Sequence, residues 1–254
     1  MTAALYDLQQ LKTKFDLDGY VVIRGFLSPP ELAGLNQELE RYIAERVPTL
    51  PRGDVYYENP DDPTTLKQMG QINQHDAYFA SLAASPKWTG LAEGLLADKV
   101  IATELQWFNK PPGRGKATPA HQDGYYFMLE PNEALTMWLA LDTVDESNGC
   151  VRYIPGSRRE GLRPHGRSDV LGFSQTIIDY GVADRNAETP IAAEPGDLLV
   201  HHSLTIHRAD GNFSERHRRS LGLVYYLARA HRDEERYTAY QRQLKAELQT
   251  AKKI

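Results

Sequence analysis

The 254-residue sequence has a single cysteine, Cys150, which excludes an intrachain disulfide and removes any pointer to an oxidising compartment. It has no run of about 18 apolar residues, so it offers no candidate membrane span. The stretch from Met1 to Asp7 lacks the basic segment and apolar segment of a secretory signal, and a cytoplasmic protein is the expectation. Positive charge is not in excess: the net charge is −5, which argues against a dedicated nucleic-acid binder. Internal repeats and low-complexity tracts are missing too. What remains is 41% hydrophobic and 25% charged residues, an ordinary globular composition long enough to bury a core without staples. One domain over residues 1–254 is expected, with a small molecule rather than a nucleic acid or a membrane as its partner. Nothing in the sequence speaks to oligomeric state.

The first hundred residues read as helices around one strand. Residues 6–15 are amphipathic and lead into Asp18-Gly19. The β-branched run from Tyr20 to Phe26 is a strand. Ser28-Pro29-Pro30-Glu31 opens a helix, with Ser28 as N-cap, Pro29 at the first helical position and Glu31 three residues in. Residues 48–66 are rich in Pro, Asp, Asn and Tyr and read as a loop; residues 48–76 as a whole are a candidate lid. From Val100 onward short strands alternate with Gly/Pro turns, at 100–109, 134–142, 150–154, 175–180, 191–193, 197–202 and 220–227. That spacing predicts a sandwich or barrel rather than a βαβ array. The charged tail from about Arg232 to Lys253 reads as a solvated capping helix.

His121-Gln122-Asp123 is the first chemical signal. On an extended strand residues i and i+2 point the same way, so an imidazole and a carboxylate converge. A third ligand from a distant strand would complete a face of two histidines and one carboxylate. Such a face leaves open positions and suits non-haem Fe(II) and O₂. The second signal is the segment Glu194 to His207, a Gly-Asp turn and an apolar strand ending in histidines. His201, His202 and His207 compete for the third position. His201 and His202 are adjacent and face opposite ways, so they cannot both serve. Arg218 and Ser220 downstream favour His207: they share a strand face, and a guanidinium beside a hydroxyl suits a carboxylate such as the far end of 2-oxoglutarate.

In these residues the chain resembles the phytanoyl-CoA dioxygenase family of Fe(II)/2-oxoglutarate oxygenases. The resemblance runs from Asp18-Gly19-Tyr20 and Glu31-Leu32 through Asn109-Lys110-Pro111-Pro112 and His121-Gln122-Asp123. It continues through Asn148-Gly149-Cys150, Ile154-Pro155-Gly156-Ser157 and Pro195-Gly196-Asp197 to His207, Asn212, Arg218 and Ser220. It implies a mainly β double-stranded β-helix, a jelly-roll or cupin-like barrel with flanking N-terminal helices; the tail adds a C-terminal helix. It implies Fe(2+) on His121, Asp123 and His207, 2-oxoglutarate anchored by Arg218, and O₂ as oxidant. By position, Thr136, Trp138 and Asn109 would lie near the co-substrate. The implied reaction hydroxylates an unactivated C–H of a small molecule and releases succinate and CO₂. Asp123 argues against the related halogenases, which have a small residue there. Two departures stand out: Arg158 where the family commonly has histidine, and Arg208 where a small residue commonly follows the distal histidine. Gln106, Tyr125, Tyr126 and His202 are expected to border the substrate pocket. The basic stretch Arg152, Arg158, Arg159, Arg163, His165 and Arg167 reads as a solvated loop or as a patch steering an anionic substrate. A Zn hydrolase and a non-catalytic jelly-roll binding module are the alternatives.

Overall fold

A computed structural model of the chain describes residues 6–250 apart from Arg52, Pro60 and Arg114. Helix α1 (Leu8–Asp18) starts where the Asp7 carboxylate accepts the backbone N–H groups of Gln9 and Gln10. It stops at Gly19, and strand β1 (Tyr20–Ile23) follows. Helix α2 (Pro29–Glu45) begins as expected, with Glu31 accepting from both the backbone N–H and the hydroxyl of Ser28. Strands β2 (Val55–Tyr57) and β3 (Leu66–Met69) come next, then helices α3 (Ile72–His75), α4 (Ala77–Ala84) and α5 (Pro86–Leu96).

The β-rich half runs β4 (Val100–Lys110), β5 (Thr118–His121), the single turn α6 (Gly124–Phe127), β6 (Leu129–Glu130), β7 (Ala134–Ala140) and β8 (Val151–Tyr153). It continues through β9 (His165–Val170), β10 (Phe173–Ile177), α7 (Val182–Ala187), β11 (Thr189–Ile191) and β12 (Leu198–His202). It closes with β13 (His207–Ala209), β14 (Arg218–Leu227), β15 (His231–Arg232) and helix α8 (Glu234–Thr250).

A seven-stranded sheet in the order β1-β12-β7-β14-β4-β3-β2 faces a four-stranded sheet in the order β11-β8-β13-β5, and all the pairings are antiparallel. The hairpin β9–β10 lies beside β5, where Thr176 donates to the Ala120 carbonyl at 3.1 Å. This is the expected jelly-roll barrel with flanking helices.

Alternation along the large sheet divides it into two faces. Leu105, Leu135, Met137, Leu139, Leu221, Leu223 and Tyr225 point outward and pack with Phe15, Leu35, Trp88 and Leu91 of the helices in one buried core. Each large apolar side chain buried there contributes about 1.5–3 kcal/mol. The inward face carries Glu104, Gln106, Phe108, Lys110, Thr136, Trp138, His201, Arg218, Gly222 and Val224, all on the wall of one cavity.

Two turns need glycine. Gly196 has φ +92, and a Cβ there would sit 2.6 Å from the Leu27 carbonyl oxygen. The neighbouring Asp197 carboxylate accepts from the backbone N–H groups of Gly25 and Glu194. Gly149 has φ +84, and a Cβ there would meet the Asp210 carbonyl oxygen at 2.4 Å.

Several sequence expectations change. Residues 48–66 are not simply a loop, because β2 lies within them; β2 pairs with β3, and β3 with β4, so the two extend the large sheet to its edge at β2. The proposed lid 48–76 is therefore in part a hydrogen-bonded wall. Strands β5 and β13 lie outside the strands predicted by spacing, although an extended backbone is expected at His121-Gln122-Asp123. At 4 and 3 residues they are too short for periodicity to register. Helix α8 is not simply solvated: Tyr237, Tyr240, Gln241, Leu244 and Glu247 line the cavity. No helix among the described residues is long and apolar enough to cross a membrane.

Candidate active site

Strand β13 pairs with β5 so that His207 stands opposite His121, with ring centroids 4.2 Å apart. Asp123 joins them by another route than strand alternation. β5 ends at His121, and Asp123 takes helical backbone angles (φ −57, ψ −33) ahead of α6. The expectation of two ligands on one extended strand is corrected to a strand end followed by a turn. The Asp123 Oδ1 atom lies 3.4 Å from His121 Nε2 and 3.6 Å from His207 Nε2. One donor atom from each residue falls within 4.8 Å of the other two, a spacing that a metal ion can fill.

The surroundings prepare these atoms. His121 Nδ1 lies 2.8 Å from the Pro119 carbonyl and His207 Nδ1 lies 3.0 Å from the Thr205 carbonyl. A carbonyl only accepts, so each Nδ1 carries the proton and each Nε2 offers its lone pair to the centre. Burial, then the neighbouring His121 and His201, hold the His207 imidazole well below its ordinary pKa, which keeps it neutral. Burial opposes ionisation of Asp123, but the histidines around it prevail and hold its carboxyl well below the usual range.

The second oxygen of Asp123 is taken. Thr136 Oγ1 donates to Oδ2 at 2.5 Å, and His201 Nε2 lies 3.1 Å from the same atom. His201 Nδ1 meets the Tyr153 hydroxyl at 2.9 Å. Burial, and after it the charge of Asp123, raises the Tyr153 pKa well above its ordinary value, so the phenol stays protonated and donates. A chain Tyr153–His201–Asp123 thus pins Oδ2 and leaves Oδ1 facing the histidines. The donor set of two imidazoles and one ionised carboxylate fits a divalent non-haem metal.

The cavity beside this centre has a volume of about 670 Å³. One end is cationic. Arg218 is 4% exposed, its guanidinium lies 5.3 Å from the Trp138 ring, and its Nε has no partner. No carboxylate stands within ion-pair distance of it among the described residues. Burial pushes its pKa down to about 10, which leaves it charged at neutral pH. Lys110, opposite Arg218 in the β4–β14 ladder, donates to the carbonyls of Lys116 and Asp210. Burial first, then Arg218, lowers its pKa well below the ordinary value. The Asn212 amide donates to the Lys110 and Arg216 carbonyls, tying the ends of β4 and β14 together.

The remaining predicted residues divide. Trp138, Gln106 and Tyr126 line the cavity. Ser220 is fully buried on the Arg218 face with its hydroxyl unpartnered, but it does not itself line the cavity. Asn109 borders the cavity, yet its amide donates to the Leu66 carbonyl and its oxygen faces His217, so it ties down β3. Two pocket expectations are overturned. His202 points away: its Nε2 lies 2.9 Å from Glu133 and its ring lies near Phe15. Alternation on β12 allows one histidine inward, and that one is His201. Tyr125 stacks on His165 at 4.5 Å, outside the cavity lining. Arg158 pairs with Asp16 beside α1, remote from the centre, whereas Arg208 borders the cavity and pairs with Glu188 and Asp210. The basic stretch is not a free patch, since Arg152, Arg163 and Arg167 form ion pairs with Asp210, Asp184 and Glu247. Sequence reasoning missed Tyr153, Lys110 and the true place of His201; the parity of β12 was the one available signal, and it limits the inward face to one of the two histidines without saying which.

Known proteins carry the same frame. The sequence model of the family described as phytanoyl-CoA dioxygenase matches residues 15–220. A probable phytanoyl-CoA dioxygenase of Caenorhabditis elegans is 31% identical over 228 residues, 83% of this chain and 72% of that protein. Bovine peroxisomal phytanoyl-CoA dioxygenase is 27% identical over 229 residues, 85% of this chain and 68% of that enzyme. Among solved structures, the epimerase SnoN with Fe3+, alpha ketoglutarate and nogalamycin RO superposes with a TM-score of 0.71 at 24% identity, covering 88% of this chain and 84% of that one. EctD from S. alaskensis with 2-oxoglutarate and 5-hydroxyectoine gives 0.71 at 22% identity, covering 89% and 78%. These two likenesses establish the shared fold. The chain belongs to the phytanoyl-CoA dioxygenase family of Fe(II)- and 2-oxoglutarate-dependent oxygenases.

Proposed function

We propose that this enzyme is a hydroxylase acting on an unactivated C–H of a small molecule, as one oxygenase domain in the cytoplasm, with His121, Asp123 and His207 as its iron ligands. The peroxisomal location belongs to the names of the mammalian relatives. The observation that carries the proposal is the pairing of a three-residue ligand set with a buried guanidinium, its Nε without a partner among the described residues, across one cavity. When bound, iron and 2-oxoglutarate supply the oxidising power, at the cost of decarboxylating the co-substrate to succinate.

The protein's own part is position and exclusion. His121 and His207 present Nε2 lone pairs, and Asp123 presents Oδ1 because Thr136 and His201 hold Oδ2. Arg218 offers a bidentate fork to the distal carboxylate of 2-oxoglutarate, with Trp138 against its face. Asp123 fills the position that a halide would need, which supports hydroxylation over halogenation. A zinc hydrolase gives no role to Arg218, and a binding module gives none to the ligand set.

The test adds Fe(II) and 2-oxoglutarate anaerobically to apoprotein and follows the weak visible charge-transfer band of the chelated co-substrate. A band in the wild type that is lost in Asp123→Ala is the expected outcome. No band, with zinc held tightly instead, would overturn the assignment.

A further inference from the structure

The cavity extends beyond the metal centre, away from Arg218, into a region that no part of the iron or 2-oxoglutarate chemistry uses. Register locates it. Glu104 on β4 stands opposite Val224, Val224 opposite Thr136, and Thr136 opposite His201. Glu104 therefore shares a cross-sheet row with the two side chains that hold Asp123, two strands or about 10 Å from Thr136. Its carboxylate has no cation within ion-pair distance among the described residues. Its hydrogen-bond partners are neutral amides: Gln71 Nε2 donates at a long 3.4 Å, and Gln106 also reaches it. Gln68 continues the polar strip; it is 7% exposed, its amide nitrogen lies 3.4 Å from Gln106, and its Oε1 has no partner. Burial raises the Glu104 pKa, the response of a carboxylate short of partners.

A second charge faces the same space. Arg232 lies over the rings of Tyr237 and Tyr226, at 4.2 and 5.5 Å, and donates to the Tyr226 hydroxyl at 3.2 Å. Its Nε is buried without a partner, and no carboxylate pairs with it among the described residues. The two opposite charges influence one another electrostatically but stay too far apart to form an ion pair. Two unpaired opposite charges on one cavity wall cost desolvation energy that a ligand bearing both complementary charges would recover. On the same cavity wall, four residues along β4 from Glu104 towards Lys110, Phe108 stacks with Phe173 to form an apolar surface, with Phe173 5.5 Å from the His121 ring.

We propose that the substrate is a small zwitterion of the amino-acid type, its ammonium group held by Glu104 and its carboxylate by Arg232, with its apolar part against Phe108 and Phe173 beside the metal ligands. The proposal rests on the oxygenase assignment and adds the substrate class. A fatty acyl thioester, as in the name of the mammalian relatives, has no cation for Glu104, and its chain would bury that carboxylate and the Gln68 amide without compensation. In the basic stretch, the one candidate for meeting its phosphates, Arg152, Arg163 and Arg167 are taken up by internal ion pairs. Recognition by charge at one end and an unactivated C–H near the metal at the other suits a hydroxylase.

The experiment loads the protein anaerobically with Fe(II) and 2-oxoglutarate and adds the twenty protein amino acids one at a time, following perturbation of the charge-transfer band. Each amino acid that perturbs it is compared with its N-acetyl derivative and its methyl ester. At least one amino acid should shift the band, and both derivatives should bind about tenfold more weakly or worse. Glu104→Gln should abolish the discrimination against the acetyl derivative, and Arg232→Gln that against the ester, while both keep the unperturbed band. A band that no amino acid shifts, or a bound amino acid whose derivatives bind equally well, overturns the zwitterion assignment and leaves the oxygenase standing. Absence of the band from the wild type removes the oxygenase assignment and this inference with it. The derivatives probe both charges on the unaltered protein, so the outcome does not depend on the variants folding.

Discussion

The two ends of the cavity share strands β4 and β14 and differ in almost everything else. At the Arg218 end both cations sit in the sheet itself. Arg218 and Lys110 face each other in a continuous antiparallel ladder, and Asn212 ties the strand ends. At the Glu104 end the sheet supplies one carboxylate, and the rest arrives from attached pieces. Arg232 comes from the two-residue strand β15 and Tyr237 from α8, while Gln71 follows β3, the short strand next to the sheet edge. Side chains on a long ladder are held by many cooperating hydrogen bonds, whereas those on short strands and an added helix depend on a few local contacts. A shared co-substrate calls for the first kind of construction. A variable substrate is served by the second, where elements change without disturbing the barrel.

Substitutions at each end sharpen this contrast. The largest effect is expected from Arg218→Met. Loss of a buried charged anchor typically costs about 2–5 kcal/mol, so the 2-oxoglutarate concentration needed to develop the band should rise roughly thirtyfold or more. Unchanged saturation would remove Arg218 from the co-substrate site. The same variant should unfold at higher denaturant concentration as apoprotein, by about 1–3 kcal/mol, because it removes an unpartnered buried donor. The sign of the pH dependence follows from the depressed pKa. Between about 10 and the ordinary 12.5 the unfolded chain binds the extra proton, so wild-type stability rises with pH in that window. Below about 10 the full penalty is present, and the variant's advantage should be constant across neutral pH.

A smaller loss is expected in the middle, where the two ends meet at Asp123. Thr136→Val keeps the shape but leaves Oδ2 with only His201. Supports of this kind typically account for about 10- to 100-fold in metal affinity, measurable by Fe(II) titration of the band. An unchanged affinity would mean that the Tyr153–His201 chain orients Asp123 unaided. The smallest effect belongs to the far end. Tyr237→Leu removes the closer ring under Arg232, a contact worth about 0.5–1 kcal/mol, which should appear in unfolding free energy. The Fe(II)/2-oxoglutarate band should not move, and a variant that weakened it would contradict the separation of the two ends.

The same division describes what could be read without coordinates. The ligand set was legible because chemistry and order coincide in it: a His-x-Asp pair, a Gly-Asp turn into a strand, a distal histidine and then an arginine. The strands of the large sheet other than β2 and β3 were legible through apolar, β-rich runs bounded by turn residues, whereas β2 and β3 lay in a stretch read as a loop. Asp123 reached the right place for a reason that strand alternation did not supply, since the chain turns helical at that residue. His202 was assigned to the pocket although alternation permits only one of two adjacent histidines to face inward, and the facing partner decides which. Helix α8 looked like a solvated tail because most of its residues are charged or polar. Its tyrosines point to the cavity, and no spacing rule announces where a terminal helix docks.

By itself the sequence offered the candidate donor types in their order, the arginine downstream of them and most of the strands around them, because each of these is a matter of residue type, local period and order along the chain. Only the tertiary structure decided which oxygen of Asp123 is free, which histidine supports it, and that Glu104 and Arg232, 128 positions apart in the chain, face one space. Those relations depend on strand register and on the packing of α8, which arise between segments distant in sequence and leave no trace in either one alone.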